Sequence, residues 1–190
     1  FDLVVFDWDG TLMDSTPTIT RCIQAACRDL GLPVPSDEIA SHVIGLGLRD
    51  ALQMAVPSLD PAHYPRLSER YRFHYLIGDK ETVLFTGIRE LLEAAGLMRM
   101  FDATRCADET FSKPHPAMLQ ELTRELGQDL RRTVMIGDTT HDLQMAHSAG
   151  TSAVAVAYGG AHPREQLVAL EPAYCAGSVA ELRDWLLERV

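Results

Sequence analysis

The chain has 190 residues, 46% of them hydrophobic, and a formal net charge of -10. That length suits one α/β domain with a sizeable core plus an insertion. The acidic balance speaks against a nucleic-acid partner, which needs a basic face. No apolar run approaches the ~20 residues of a membrane span.

The four cysteines, Cys22, Cys27, Cys106 and Cys175, show neither Cys-x-x-Cys spacing nor a dense framework. They are expected to be free thiols in a cytoplasmic protein. No signal peptide is expected ahead of the first apolar run. The sequence opens at Phe1 rather than Met, so residues are expected upstream of it.

Taken in chain order, residues 3–7 (LVVFD) form an apolar run that predicts a buried parallel strand. Its tip carries Asp7, Asp9 and Asp14 within DWDGTLMDS. Carboxylates this close repel one another and raise a pKa unless a cation or a very polar pocket sits between them. Gly10 permits a sharp turn there, which with Thr11 aims N–H groups at an anion.

Residues 17–31, 36–43, 47–56 and 61–77 read as helices, broken at GLPVPSDE and VPSLDPAHYP. They predict an all-helical cap over 16–81, inserted into a core formed by 1–15 and 82–190. Asp14 and Ser15 stand where they would cap the first of these helices. Beyond the insert, strand and helix patterns alternate. Helices are expected over 87–95, 115–126, 141–149 and 178–189, and strands over 102–107 (DATRCA), 133–137 (TVMIG) and 152–157 (SAVAVA). Such alternation predicts an α/β fold with a Rossmann-like, doubly wound parallel sheet, whose site lies at the carboxyl ends of the strands.

Two further pieces reach that edge. Ser112-Lys113-Pro114-His115-Pro116 places an ammonium just before a helix, and in MIGDTTHD a strand ends at Asp138 with Asp142 in the first turn of the next helix. A hard cation would relieve the repulsion among Asp7, Asp9 and Asp138, and oxygen-only ligands suit Mg²⁺. Magnesium with a lysine gathers the charge of a phosphoryl group. A carboxylate in that field can act as nucleophile, and a second one two residues on can serve as general acid and base. Read alone, Asp-x-Asp-Gly could open a calcium loop, but the later ligand positions of that loop are absent. His115, His141 and His147 lack zinc-ligand spacing with a cysteine.

With these motifs in order, the chain resembles the haloacid dehalogenase superfamily, specifically its phosphoglycolate phosphatase-like branch with a small helical cap. The resemblance implies that Asp7 is nucleophile and Mg²⁺ ligand, and that Asp9 is general acid/base and binds the metal through its carbonyl. It implies that Asp138 is the remaining acidic ligand, that Asp142 supports the site from behind, and that Lys113 orients the nucleophile and, with Gly10 and Thr11, holds phosphate. The dehalogenases lack an acid at the position of Asp9, which favours a phosphatase. Arg49, in IGLGLRDAL, stands where related enzymes use a cap loop for specificity; an exposed helix arginine is the competing account. The substrate implied is a small phosphorylated metabolite, phosphoglycolate first. Two alternatives stay open, a β-phosphoglucomutase-like sugar phosphomutase and a non-catalytic binding protein of the same fold.

One piece is lacking. The resemblance calls for a strand ending in Ser or Thr between GIRELLEAAG and FDATRCA, pairing with strand one, and only LMRM stands there. A strand and helix of about 15–25 residues are expected to be absent near Gly96-Leu97. Either they belong to the protein and are absent from this sequence, or they are deleted and the enzyme is crippled.

Overall fold

The structure is a computed structural model, and it describes residues 1–78, 82–96 and 101–189. Four strands, β1 (Leu3–Phe6), β2 (Thr133–Gly137), β3 (Ser152–Val156) and β4 (Tyr174–Ala176), form one parallel sheet in that spatial order. The register pairs Phe6 with Ile136 and Ile136 with Val154. Parallel neighbours need a crossover, and helices supply it, so both faces of the sheet become covered. One face buries Val134, Ile136, Val154 and Leu182 with Ile88 and Leu91 of α5 (Ile88–Ala94) and Leu186 of α9 (Val179–Leu187). The other buries Met135, Ala153 and Ala155 against α6 (Ala117–Glu125), α7 (Thr140–Ala149) and α8 (Arg164–Val168). This is the doubly wound, Rossmann-like α/β arrangement.

Four helices stand between β1 and α5: α1 (Thr16–Asp29), α2 (Asp37–His42), α3 (Leu48–Ala55) and α4 (Tyr64–Gly78). They share an apolar cluster of their own, in which Ile23, Leu52 and Leu67 are almost fully buried. The Tyr64 hydroxyl donates to the Val56 carbonyl at 2.8 Å and fixes the turn from α3 into α4. All eight helices expected along the chain are present, within about three residues of their expected ends. The described residues contain no helix long and apolar enough to cross a membrane.

Two expectations need correction. Residues 102–107 form no strand. A strand is held by its neighbour's hydrogen bonds, and β1 pairs only with β2 among the described elements, so DATRCA has nothing to pair with. Conversely, β4 and α8 exist but have no strong sequence signal, at three and five residues. The expected join near Gly96-Leu97 falls on 97–100, outside the described residues.

Leu67 is fully buried among the α1–α4 side chains, so Leu67→Ala should remove about 2–5 kcal/mol of stability. Urea unfolding with an unchanged m-value would check this.

Candidate active site

The carboxyl ends of β1 and β2 bring Asp7 and Asp138 together, as the sequence predicts. The chain leaves β1 with the Asp7 N–H on the Ile136 carbonyl (2.8 Å) and turns back at Gly10, whose N–H donates to the Met13 carbonyl (2.8 Å). Gly10 sits at φ +79, and a Cβ there would lie 2.2 Å from Asp138 Oδ2. Glycine is therefore required twice over, by backbone angle and by the acid beside it. With its N–H committed to Met13, Gly10 makes room for the Asp138 carboxylate; its expected N–H contact to phosphate is not available in this conformation. A second glycine does the same from the loop after β3: a Cβ on Gly159 would lie 2.0 Å from the Gly10 carbonyl oxygen. Nothing in the sequence marks Gly159 as part of the site.

Lys113 reaches in from the loop before α6. Its Nζ lies 2.6 Å from Asp7 Oδ1 and 2.6 Å from Asp142 Oδ1, with only a tenth of the side chain exposed. Asp142 Oδ2 is fully engaged, accepting from the Thr139 N–H (3.1 Å) and the Thr139 hydroxyl (2.7 Å), while Oδ1 is left facing the Lys113 ammonium with no hydrogen bond of good geometry. Thr139 in turn caps α7 by accepting from the Asp142 N–H, so a capping box holds the acid that holds the lysine. Asp142 thus lies between the α7 cap and the Lys113 ammonium.

Other carboxylate oxygens are left without a partner. Asp7 Oδ2 and both oxygens of Asp138 are buried with no hydrogen bond of good geometry, and the Ala161 amide gives Asp138 only minor support. Carboxylate oxygens of Asp7, Asp138 and Asp142 lie within 4.8 Å of one another. Burial raises the Asp7 carboxyl to about 7, against the opposing pull of Lys113, and it holds Asp138 well above the carboxylate range, aided by the charges of Asp7 and Asp142. Burial works against the Lys113 charge, but Asp142 and Asp7 outweigh it and raise the ammonium. A pocket with three carboxylates and one ammonium, whose unpartnered atoms are all oxygens, fits a hard divalent cation. Asp7 and Asp138 have the free oxygens to hold it.

Asp9 is not one of that trio. Its Oδ1 accepts from the Ser15 hydroxyl at 2.6 Å. Ser15 was expected to cap α1, but it makes no cap bond there; its hydroxyl serves Asp9 instead. Thr11 is fully buried with its hydroxyl unpartnered, and its carbonyl accepts from the Tyr158 hydroxyl at 3.1 Å.

The helical segment closes over this edge through two contacts that the sequence hides. The Gly47 N–H donates to Ser112 Oγ at 2.7 Å, one residue from Lys113, and Gly45 lies over Thr139 and the Lys113 stem. Beside them, Nε2 of His141 and of His162 both face the His42 carbonyl, at 3.2 and 3.0 Å, and the His42 and His162 rings stack at 4.3 Å. His162 Nδ1 accepts from the Thr140 N–H at 3.1 Å. Both His162 nitrogens are thereby used, and burial holds its pKa near 4 and lowers that of His141, so these two rings tie the end of α2 to α7 as neutral groups. Arg49 is exposed on the first turn of α3 and is not drawn to the carboxylates by any ion pair among the described residues. None of the four cysteines forms a disulfide.

Comparison with known proteins gives the family. Residues 4–95 match the family described as haloacid dehalogenase-like hydrolase, and residues 110–182 match the HAD-hydrolase-like family. The probable phosphatase IndB of Dickeya dadantii is 32% identical across 95% of this chain and 91% of its own length. The chain belongs to the haloacid dehalogenase-like hydrolases. Within that family it is of the phosphatase type. It is also 31% identical to the N-acetylmuramic acid 6-phosphate phosphatase of Pseudomonas aeruginosa, over 85% of this chain and 84% of that protein. A solved structure of a predicted phosphoglycolate phosphatase from Haemophilus somnus superposes with TM-score 0.82 at 25% identity, over 98% of both chains.

The unpaired Asp138 yields a prediction for the metal-free protein. Its raised folded pKa means that its contribution to stability is full at low pH and is lost as pH rises through that folded value. Asp138→Asn removes the buried like charge, so in EDTA at pH 8 it should melt higher than the parent, by about 1–3 kcal/mol. Mg²⁺ should raise the melting temperature of the parent only. A variant that melts lower in EDTA would contradict this.

Ser15→Ala leaves Asp9 without its hydroxyl partner. If Asp9 takes part in turnover, the variant should lower kcat/KM for phosphomonoesters roughly 10- to 100-fold, the worth of a charge-assisted hydrogen bond, as steady-state kinetics would show.

Proposed function

We propose that the protein is a Mg²⁺-dependent phosphomonoester hydrolase that works through an aspartyl-phosphate on Asp7, with a small phosphorylated metabolite as substrate. The observation that carries this is the asymmetry of Asp7: one oxygen is held by Lys113 at 2.6 Å and the other is buried without a partner. A structural ion pair would use both. A nucleophile needs one oxygen to be positioned and the other to be free.

When bound, Mg²⁺ held by Asp7, Asp138 and the Asp9 carbonyl would neutralise charge on the nucleophile and the transferring phosphoryl group. The chain's own residues do the rest. An Asp7 oxygen forms the bond to phosphorus as the ester oxygen departs, and Asp9 delivers the proton that this oxygen takes up. Asp9 then accepts a proton from water, whose oxygen displaces Asp7 from phosphorus and releases inorganic phosphate. Ser15 keeps Asp9 aimed through both steps, and Lys113, anchored by Asp142, stays on the Asp7 side of the phosphoryl group. The Thr11 hydroxyl is a further candidate for phosphate contact.

Residues 16–81 act in this reading as a cap that shuts water out, with the Gly47–Ser112 bond as its contact to the catalytic loop. Phosphoglycolate is the leading substrate, on the strength of the phosphoglycolate phosphatase of Agrobacterium fabrum, 27% identical over 99% of this chain and 93% of that protein. A role for Arg49 in choosing the substrate would need it to swing inward on closure.

The test is sustained phosphate release from a panel of small phosphomonoesters with Mg²⁺, beside Asp7→Asn. Release should fall at least about 10³-fold in the variant, in line with loss of a covalent nucleophile, while the fold is kept. Phosphoryl return to a sugar without net release would identify a phosphomutase instead.

A further inference from the structure

Three imidazoles that the proposed reaction does not use meet where α2 rests on the core. They are His42 at the end of α2, His141 in the first turn of α7 and His162 in the loop after β3. One ring nitrogen from each lies within 4.8 Å of the other two. His141 and His162 are buried, whereas His42 is exposed and opens the cluster to solvent. Ligands of a compact metal motif stand a few residues apart, and these come from three separate segments, so no spacing in the sequence marks them.

Packing alone accounts for only part of the arrangement. A carbonyl oxygen has two lone pairs, and Nε2 of His141 (3.2 Å) and of His162 (3.0 Å) occupy both at His42. The His42 ring itself stacks on His162 at 4.3 Å and meets His141 edge-on at 5.7 Å, and it makes no hydrogen bond among the described residues. Its nitrogens are therefore free for another partner.

The distances suit a metal ion. Ligand atoms around a tetrahedral Zn²⁺, each ~2.0–2.1 Å from it, stand about 3.3 Å from one another. Each buried Nε2 is already near that distance from the His42 carbonyl oxygen, and the exposed His42 side chain can turn a ring nitrogen inward. A proton moved from His162 Nε2 to Nδ1 finds an acceptor in the Thr140 hydroxyl, 3.0 Å away, at the cost of the Thr140 N–H contact. Such a partner on the far nitrogen is what orients a ligating imidazole. Both buried rings are neutral, the form in which imidazole binds metal.

We propose that His42, His141 and His162 form a binding site for a transition-metal cation of the Zn²⁺ type, separate from the oxygen-ligand site at Asp7 and Asp138. Ligand type keeps the two apart, because imidazole suits Zn²⁺, Ni²⁺ and Cu²⁺ while carboxylates suit Mg²⁺. A bound ion replaces two hydrogen bonds with three coordinate bonds, and it joins α2 to α7 and to the loop after β3. It would thereby pin residues 16–81 to the core and slow turnover, a consequence that rests on the phosphatase reading.

Calorimetric titration of Zn²⁺ into the protein tests the site. Excess Mg²⁺ competes for the carboxylates, and a Cys106→Ser background removes the exposed thiol. One equivalent should bind, and Co²⁺ in its place should give the strong visible absorption of a tetrahedral ion. His42→Ala alters an exposed side chain and should keep the metal-free far-UV spectrum, yet weaken binding at least about tenfold, as His162→Gln should also do. No saturable binding by the parent, or unchanged affinity in either variant, overturns the site.

The consequence is read separately as the ratio of phosphate-release rates with and without Zn²⁺, Mg²⁺ being saturating. Zn²⁺ should slow the parent at least about fivefold, since cap opening lies on the path of every turnover, and should leave the His42→Ala rate nearly unchanged. Equal slowing of both overturns the pinning and leaves the site. Zn²⁺ binding in a protein that releases phosphate from no ester leaves the site and overturns the phosphatase reading.

Discussion

One ammonium stands among three carboxylates at the carboxyl edge of this sheet. Lys113 lies 2.6 Å from both Asp7 and Asp142, and Asp138 completes the cluster with no cation of its own. If all are ionised, two negative charges remain uncompensated in a buried space, where like charges interact far more strongly than in water. The surrounding structure is arranged around that deficit. A capping box occupies Asp142 Oδ2 and leaves Oδ1 to face the lysine. Gly10 and Gly159 withhold side chains that would otherwise fill the space of Asp138. The fold thus maintains a local instability that a divalent cation would resolve, the usual condition of a functional site.

The same edge explains why so much of the site is legible in the sequence and where legibility ends. Asp7, Lys113, Asp138 and Asp142 each sit at a strand tip or the start of a helix, and the flanking apolar runs and turn residues announce those positions. Short-range chemistry therefore locates them before any contact is known. Ser15, Gly159 and the His42–His141–His162 tie have no such local mark. Ser15 looks like a helix cap because its neighbours are a helix start; only the turn at Gly10, which folds the chain back, brings its hydroxyl to Asp9. His42 and His162 are 120 residues apart, and their ring stacking is purely tertiary.

The strands divide by the same logic. Val-rich LVVF, TVMIG and SAVAV are apolar enough to demand burial wherever they lie, and all three are strands. Tyr174–Ala176 has only three residues and becomes a strand because β3 offers it a ladder. Residues 102–107 have comparable local character and no ladder to join, and they stay irregular. Propensity is a weak prior beside the presence or absence of a partner edge.

The His42 tie and the Gly47–Ser112 bond bear on how such a site could work in time. Both contacts fix the α1–α4 segment to residues one or two positions away from catalytic candidates: Ser112 precedes Lys113, and His141 precedes Asp142. A movement of α2 or α3 is therefore felt at the two ends of the Lys113–Asp142 ion pair, the contact that sets where the ammonium points. In the phosphatase reading, opening of the cap would loosen the lysine's anchor and closure would restore it together with water exclusion. Because His141 and His162 are buried and their protonation is disfavoured, the tie keeps its hydrogen-bond sense across neutral pH. The coupling between cap and nucleophile is then mechanical, carried by two neutral hydrogen-bonded contacts and one buried ion pair, and it leaves the excess negative charge at Asp138 to a metal ion.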